Sequence, residues 1–361
     1  VTFIDNSNSV PLRVAHVNLA KSYRGGERQT ELLIRELARR GVRQVLIARR
    51  SAPLAARLAD VDLEIRCVNG PRLGVACAAR SVDVVHVHEG RSVYGAYLRS
   101  IVFGTPYIVT RRVDRPIGDH VFAHAAYRRA ACVAAVAPQV EKIVRAFDPK
   151  IRTTVIFSSS SVFPVDAAKA AEIRARFSGK IVVGHVAALD IRQKAQEHII
   201  SVARKLASTH PEVAFVIVGA GADEAALKAH AAGLPNVTFT GFVDNVGDHL
   251  AAFDIFILPS RSEGIGSVLL DAMDRRLPIV ATRVGGVPAI VHDGVNGLLI
   301  EPDRPAELEA ALMRLVGSAE ERKAMGARGF EMAAPHTPAA MAARYLELYE
   351  RALRPSRAPA A

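Results

Sequence analysis

Glu263 and Asp271 stand eight residues apart, with Gly264-Ile265-Gly266 directly after the first. A short apolar run, 254–258, precedes them, and Ser267-Val268-Leu269-Leu270 opens a segment of helical character. Glycines at such a strand-to-helix turn let backbone approach a ligand closely. The first amides of a helix have no partner within it and favour an anion such as a pyrophosphate. A carboxylate on either side of that turn then reads hydroxyl groups. The chemistry this implies is recognition of a sugar nucleotide. The plainer reading is that Glu263 favours the helix dipole and Asp271 is a solvated helix position.

Two further glycine devices follow: Arg283-Val284-Gly285-Gly286-Val287-Pro288, and His292-Asp293-Gly294-Val295-Asn296-Gly297. Near the start, Gly25 and Gly26 lie between the first apolar run and the first amphipathic segment, where a helix start again suits an anion. His86, His88 and Glu89 end another run. A His-x-His pair can bind metal only with a third ligand, and none is obvious nearby, so a hydrogen-bonded histidine is the common alternative. We take His88 as the candidate acceptor contact and assign no metal site. Arg111 and Arg112 follow Thr110 and suggest an acidic or phosphorylated acceptor, or else an arginine-rich loop. Gly219-Ala220-Gly221 lacks the third glycine and the distant acid of a dinucleotide fingerprint.

The elements that position these residues alternate short β-branched runs with longer amphipathic segments, the pattern of parallel α/β architecture. Strands are expected at 13–19, 44–48, 82–88, 107–110, 132–136 and 153–157, then at 181–187, 214–218, 237–240, 254–258, 279–282 and 297–300. Between the first two, Leu32, Leu33 and Leu37 recur at helical spacing over 27–40, and Gly41 ends the helix. Two such series predict two doubly wound domains, 1–163 and 164–335, joined near the serine cluster 158–161. A last helix, 338–354, is expected to return to the first domain, and 355–361 to fray. In sheets of this kind ligands bind beyond the carboxyl ends of the strands.

Length fits two domains, and a half-apolar composition is that of a globular chain. Charge is uneven. Residues 1–163 hold 25 Lys+Arg against 13 Asp+Glu, and the remainder 22 against 23. A basic half suits a phosphate-bearing lipid, an acidic glycan or nucleic acid. Cys67, Cys77 and Cys132 form no CxxC pair and read as thiols of a reducing compartment. No run is long enough to span a bilayer, and 1–10 lacks the regions of a signal peptide. The expected address is the cytoplasm.

With these motifs, 260–302 resembles the donor-binding half of the retaining, two-Rossmann-domain (GT-B) glycosyltransferases of family 4. The similarity extends from the first strand to the last helix. It implies a GT-B fold in which two Rossmann-like domains face a central cleft, with the acceptor on the N-terminal domain and the nucleotide sugar on the C-terminal one. It implies a retaining transfer, most simply from a UDP-sugar to a glycan or glycolipid acceptor in cell-envelope polysaccharide or lipopolysaccharide synthesis. No tightly bound metal or other cofactor is expected. The basic first half suggests, beyond a cytoplasmic address, loose attachment to the anionic inner face of the cytoplasmic membrane. By this resemblance Glu263 contacts the transferred sugar, while Gly264, Ile265, Gly266, Ser267 and Val268 form the turn that holds the diphosphate. Asp271 stands where the family has a ribose-binding Glu. Gly25 and Gly26 match the glycine loop that reaches the donor phosphate or the acceptor. Lys194 matches the lysine of the family's Lys-Gly pair, and Arg192 stands in for an arginine that Ala188 replaces. A sugar-nucleotide epimerase on the same architecture and a basic nucleic-acid-binding protein are the other classes the sequence leaves open.

Overall fold

The computed structural model describes residues 12–354; the expectations for 1–10 and for 355–361 lie outside the described residues. The chain divides into two compact units. Among the described residues, one holds 12–136, Glu141–Ile156 and 338–354; the other holds Ala137–Val140 and Phe157–Thr337.

Among the described residues the first unit is built on seven parallel strands: β1 (Arg13–Val17), β2 (Arg43–Ala48), β3 (Glu64–Cys67), β4 (Val84–Val87), β5 (Tyr107–Arg111), β6 (Cys132–Ala135) and β7 (Thr153–Val155). Their order is β3-β2-β1-β4-β5-β6-β7, so β1 and β4 are neighbours at the point where the winding reverses. The inner strands are buried on both faces because helices cover both, and they are largely apolar, with His16 in β1 and His86 in β4 among the exceptions. β3 escaped the sequence reading because Glu-Ile-Arg-Cys is a mostly exposed edge strand without an apolar run.

Helix Gly25–Arg39 lays Leu32, Leu33 and Leu37 against the sheet. Each such burial is worth roughly 1.5–3 kcal/mol. Gly41 ends the chain reversal at φ +74°, a conformation that a side chain would strain. Helix Pro338–Leu353 belongs to this unit. Its Met341, Tyr345, Leu348 and Tyr349 share a core with Val14, Val84 and Ile108.

The second unit has six parallel strands: β8 (Ile181–Val186), β9 (Val213–Val218), β10 (Val237–Gly241), β11 (Ile255–Leu258), β12 (Ile279–Thr282) and β13 (Gly297–Ile300). The order β10-β9-β8-β11-β12-β13 makes β8 and β11 neighbours at the reversal. The molecule thus has two Rossmann-like units, as expected. Gly184 in β8 is fixed by packing, because a Cβ there would lie 1.9 Å from the ring of Phe253. Gly184→Ala is therefore expected to cost about 1–3 kcal/mol through overpacking. An unchanged urea midpoint in that variant would contradict the stated contact.

Candidate functional site

In the second unit the winding reversal brings two loops together. After β8, Asp190 caps a short helix, Ile191–Lys194, its side chain accepting from the amide of Gln193 at 3.2 Å. After β11 the chain runs through Ser260 and Glu263 into the glycine turn and helix Val268–Asp274. Lys194 donates to Glu263 Oε1 at 2.5 Å, and the Ser260 hydroxyl donates to the same oxygen at 2.7 Å. Both charged side chains are largely buried, at 16% and 7% exposure. A buried ion pair roughly breaks even in stability, so folding alone gives no reason for it.

Several bonds hold the two loops in register. The Arg261 amide donates to the Gln193 carbonyl at 2.8 Å, and Gln193 Nε2 donates to the Ser262 carbonyl at 3.2 Å. The Arg261 guanidinium reaches the Ile191 carbonyl, Glu197 and Asp303. Ala195 follows Lys194 at φ +52°, the left-handed conformation that favours glycine, so this turn is held against local preference. Arg192 is exposed on the same turn.

The other glycine devices support this turn. A Cβ on Gly286 would lie 2.2 Å from the Gly264 carbonyl oxygen, so the second device is a brace behind the first. A Cβ on Gly219 or Gly221 would meet the carbonyls of Ala187 and Leu189. That pair makes room for the loop before Lys194. The Asn296 side chain closes the third device, accepting from the His292 amide and donating to the Ile290 carbonyl.

Asp271 is buried, and its carboxylate accepts from the Ser161 amide at 2.5 Å and the Ser161 hydroxyl at 3.2 Å. The serine cluster, taken in the sequence as a join, is therefore bound to the second acid. The Ser160 hydroxyl lies 3.4 Å from Asp271 and also reaches Asp274.

In the first unit the reversal sets His16 of β1 beside His86 of β4 in parallel register. His88 follows β4. The three histidines are buried, and ligand nitrogens from all three lie within 4.8 Å of one another. The third histidine that the sequence reading found missing is thus present, on a strand some 70 residues earlier. Protein partners engage all four nitrogens of His16 and His86. His16 meets His88 and Gln44 at 3.0 Å each; His86 meets the hydroxyls of Tyr349 at 2.7 Å and Thr110 at 2.6 Å. Burial pushes the His16 pKa down to about 3 and holds His86 and His88 well below the ordinary range. The charge of Arg112 acts in the same direction on the latter two.

Arg111 is turned onto its own loop, donating to the Arg115 carbonyl. Arg112 lies against the start of helix Gly25–Arg39: a Cβ on Gly26 would come 3.6 Å from its Cδ. Its Nε and one terminal nitrogen are buried and have no hydrogen-bond partner. Burial lowers its pKa, against the opposing influence of Tyr345 and Glu27. Glu27 accepts from the Arg24 amide at 3.0 Å, and its pKa is raised by burial.

Residues 180–318 match the family model described as glycosyl transferases group 1. The chain is 30% identical over 284 residues to the alpha-D-kanosaminyltransferase of Streptomyces kanamyceticus, covering 70% of this chain and 71% of that protein. It belongs to the group 1 glycosyltransferases. The lipopolysaccharide core biosynthesis glycosyltransferase LpsE of Rhizobium meliloti is 25% identical over 328 residues, 89% of this chain and 93% of that one. Among solved structures, Anabaena Alr3699/HepE in complex with UDP-glucose superposes with a TM-score of 0.82 at 19% identity, over 94% of this chain and 99% of that one. The likeness shows the GT-B fold.

In this glycosyltransferase the structure brings Lys194, Glu263 and the 264–268 turn together, and in the first unit Gly26, Arg112 and Glu27. Ser260, Gln193, Arg261, His16 and Gln44 went unread in the sequence. Ser260 and Arg261 directly precede Glu263 and so lay within reach of the motif. His16 and Gln44 become visible only once β1, β2 and β4 are known to be neighbours.

Proposed function

We propose that this glycosyltransferase moves a sugar, with retention of anomeric configuration, from a nucleoside-diphosphate sugar to a glycan or glycolipid acceptor of the cell envelope, with UDP as the nucleotide. The observation that carries this reading is the buried Lys194–Glu263 pair beside the glycine turn, inside the family-matched segment. On donor binding, Glu263 takes the sugar hydroxyls. Lys194 and Arg192 face the diphosphate, joined by the backbone of Gly264, Ile265, Gly266, Ser267 and Val268. Asp271 exchanges serine partners for the ribose, and Gly25 and Gly26 lend their backbone. His88, Arg111 and Arg112 serve the acceptor.

The bond from the anomeric carbon to the diphosphate oxygen breaks. The acceptor oxygen bonds to the same face, and its proton passes to the departing diphosphate. Charge builds on that leaving group, and a fixed cation in a dry site stabilises it more than water does. No resident metal is needed for this role, so activity should survive EDTA. Thermal-shift screening against nucleoside-diphosphate sugars tests the reading, with a rise in Tm expected for at least one UDP-sugar. No rise with any member of the panel would overturn it.

Among the described residues, no helix is long and apolar enough to cross a membrane. The first unit nevertheless exposes Leu73 at 71%, Val121 at 81% and Phe122 at 72%. Tyr94 ties these helix starts together, under Arg72 and bonded to His120 at 3.1 Å. Apolar side chains among arginines suit the surface of an anionic bilayer, and we place the protein on its cytoplasmic side. Vesicles rich in phosphatidylglycerol should sediment the protein at low salt, and Val121→Asp with Phe122→Asp should leave it in the supernatant. Equal sedimentation with neutral vesicles would remove the membrane from the proposal.

A further inference from the structure

We propose that Gln44 and His16 are positioning residues that hold His88 Nδ1 as a bare acceptor for a hydroxyl of the acceptor sugar. This rests on the reading of the first unit as the acceptor side.

The chain of hydrogen bonds begins at a backbone group whose role is fixed. The Ile34 carbonyl can only accept, and it faces the side-chain amide of Gln44 at 3.0 Å. The Gln44 nitrogen therefore points at Ile34, and its oxygen points at His16 Nε2, also at 3.0 Å. An amide oxygen cannot donate, so His16 carries its proton on Nε2. His16 is fully buried and neutral, which leaves a lone pair on its Nδ1. That lone pair faces His88 Nε2 at 3.0 Å, so His88 donates and its own proton sits on Nε2. His88 is neutral too, and its Nδ1 is left with a lone pair only.

No donor meets that lone pair: His88 Nδ1 is buried without a hydrogen-bond partner, in a residue 5% exposed. Buried acceptors are nearly always satisfied, so an orphan at the carboxyl end of a central strand points to a ligand group. A hydroxyl is the donor that fits a neutral acceptor in a sugar-handling protein. The depressed basicity makes His88 a hydrogen-bond acceptor and not a base that removes the proton, which the leaving diphosphate takes. A metal ion would have to displace the proton between His16 and His88 and one hydroxyl partner of His86.

The test is nitrogen NMR on the full chain carrying 15N-histidine at pH 7, with His88→Gln used to assign the signals. His88 Nδ1 should show the signal of an unprotonated imine nitrogen, and Nε2 that of a protonated one. Gln44→Met should turn this single tautomer into a mixture. A sugar-headed amphiphile, n-octyl β-D-glucoside, is the ligand probe and should shift the Nδ1 signal upfield. A proton on Nδ1, an imidazolium at pH 7, or stoichiometric Zn2+ uptake with loss of the Nε2–H signal overturns the proposal in the wild type alone. So does a signal unmoved at saturating amphiphile. If UDP-glucose still raises the Tm in that case, the transferase reading survives. Absence of any nucleotide-sugar effect removes that reading while leaving the tautomer result intact.

Discussion

Glu263→Gln should lower sugar transfer about 100- to 1,000-fold, the scale of losing one preorganised electrostatic contact. Lys194→Met should do the same. The two residues make one ion pair, with Ser260 as a third member, so a stability defect could imitate a catalytic one. Removing one partner of a buried pair leaves an uncompensated charge and costs about 3–5 kcal/mol where burial is complete. Lys194 retains some exposure and can turn outward, so the cost here should be smaller.

The double variant, Lys194→Met with Glu263→Gln, separates the two roles. Without a charge to strand, it should recover most of the stability lost in either single variant. Transfer should stay low. The measurements are Tm and initial rate with a UDP-sugar for the three variants. Recovery of rate together with Tm in the double variant would make the pair a structural brace, and near-normal transfer in Glu263→Gln would take that residue out of the mechanism.

The parallel α/β character was legible because strands buried on both faces show as apolar runs, as in Val213–Val218. β12 and β13 match the sequence reading at both ends, since turn residues bound them closely. The mostly exposed β3 carried no such signal. At the site, Glu263 and the glycine turn were readable because the chemistry is local in sequence. Their supports were not. Gly286 reads only as part of a further glycine device, and the 2.2 Å approach of a Cβ there to a backbone oxygen is something no sequence displays.

Both clusters also depend on strand order. Lys194 meets Glu263 because β8 neighbours β11, and His16 meets His88 because β1 neighbours β4. Strands next to one another at a winding reversal are far apart in the chain, so spacing motifs cannot pair them. His16 lies 70 residues before His86, so no local pattern marks it as the third histidine.

That histidine cluster should also make the first unit sensitive to acid. His16, His86 and His88 are neutral in the folded state because burial disfavours their charged forms. Unfolded, each takes up a proton below about pH 6.5. The unfolded state then binds more protons than the native one, so stability is full above that pH and falls as the pH drops. For His16 the loss continues down to its folded pKa of about 3. Each neutral histidine contributes a slope of about 1.4 kcal/mol per pH unit across its window.

His124 works in the opposite sense. Hydrogen bonds that it donates to Asp148 and Asp119 raise its pKa, so its contribution is complete below 6.5 and is lost only as pH rises further. Asp148, held below the usual carboxylate range by His124, loses its contribution only below about pH 4. Neither offsets the buried histidines between pH 6.5 and 4. Urea unfolding at pH 7.5, 6.0 and 5.0 should show the midpoint falling steeply, and His16→Gln should remove about one proton's worth of the slope. A midpoint constant from pH 7.5 to 5.0 would mean that the cluster is protonated in the folded protein. The tautomer chain from Gln44 to His88 would fall with it.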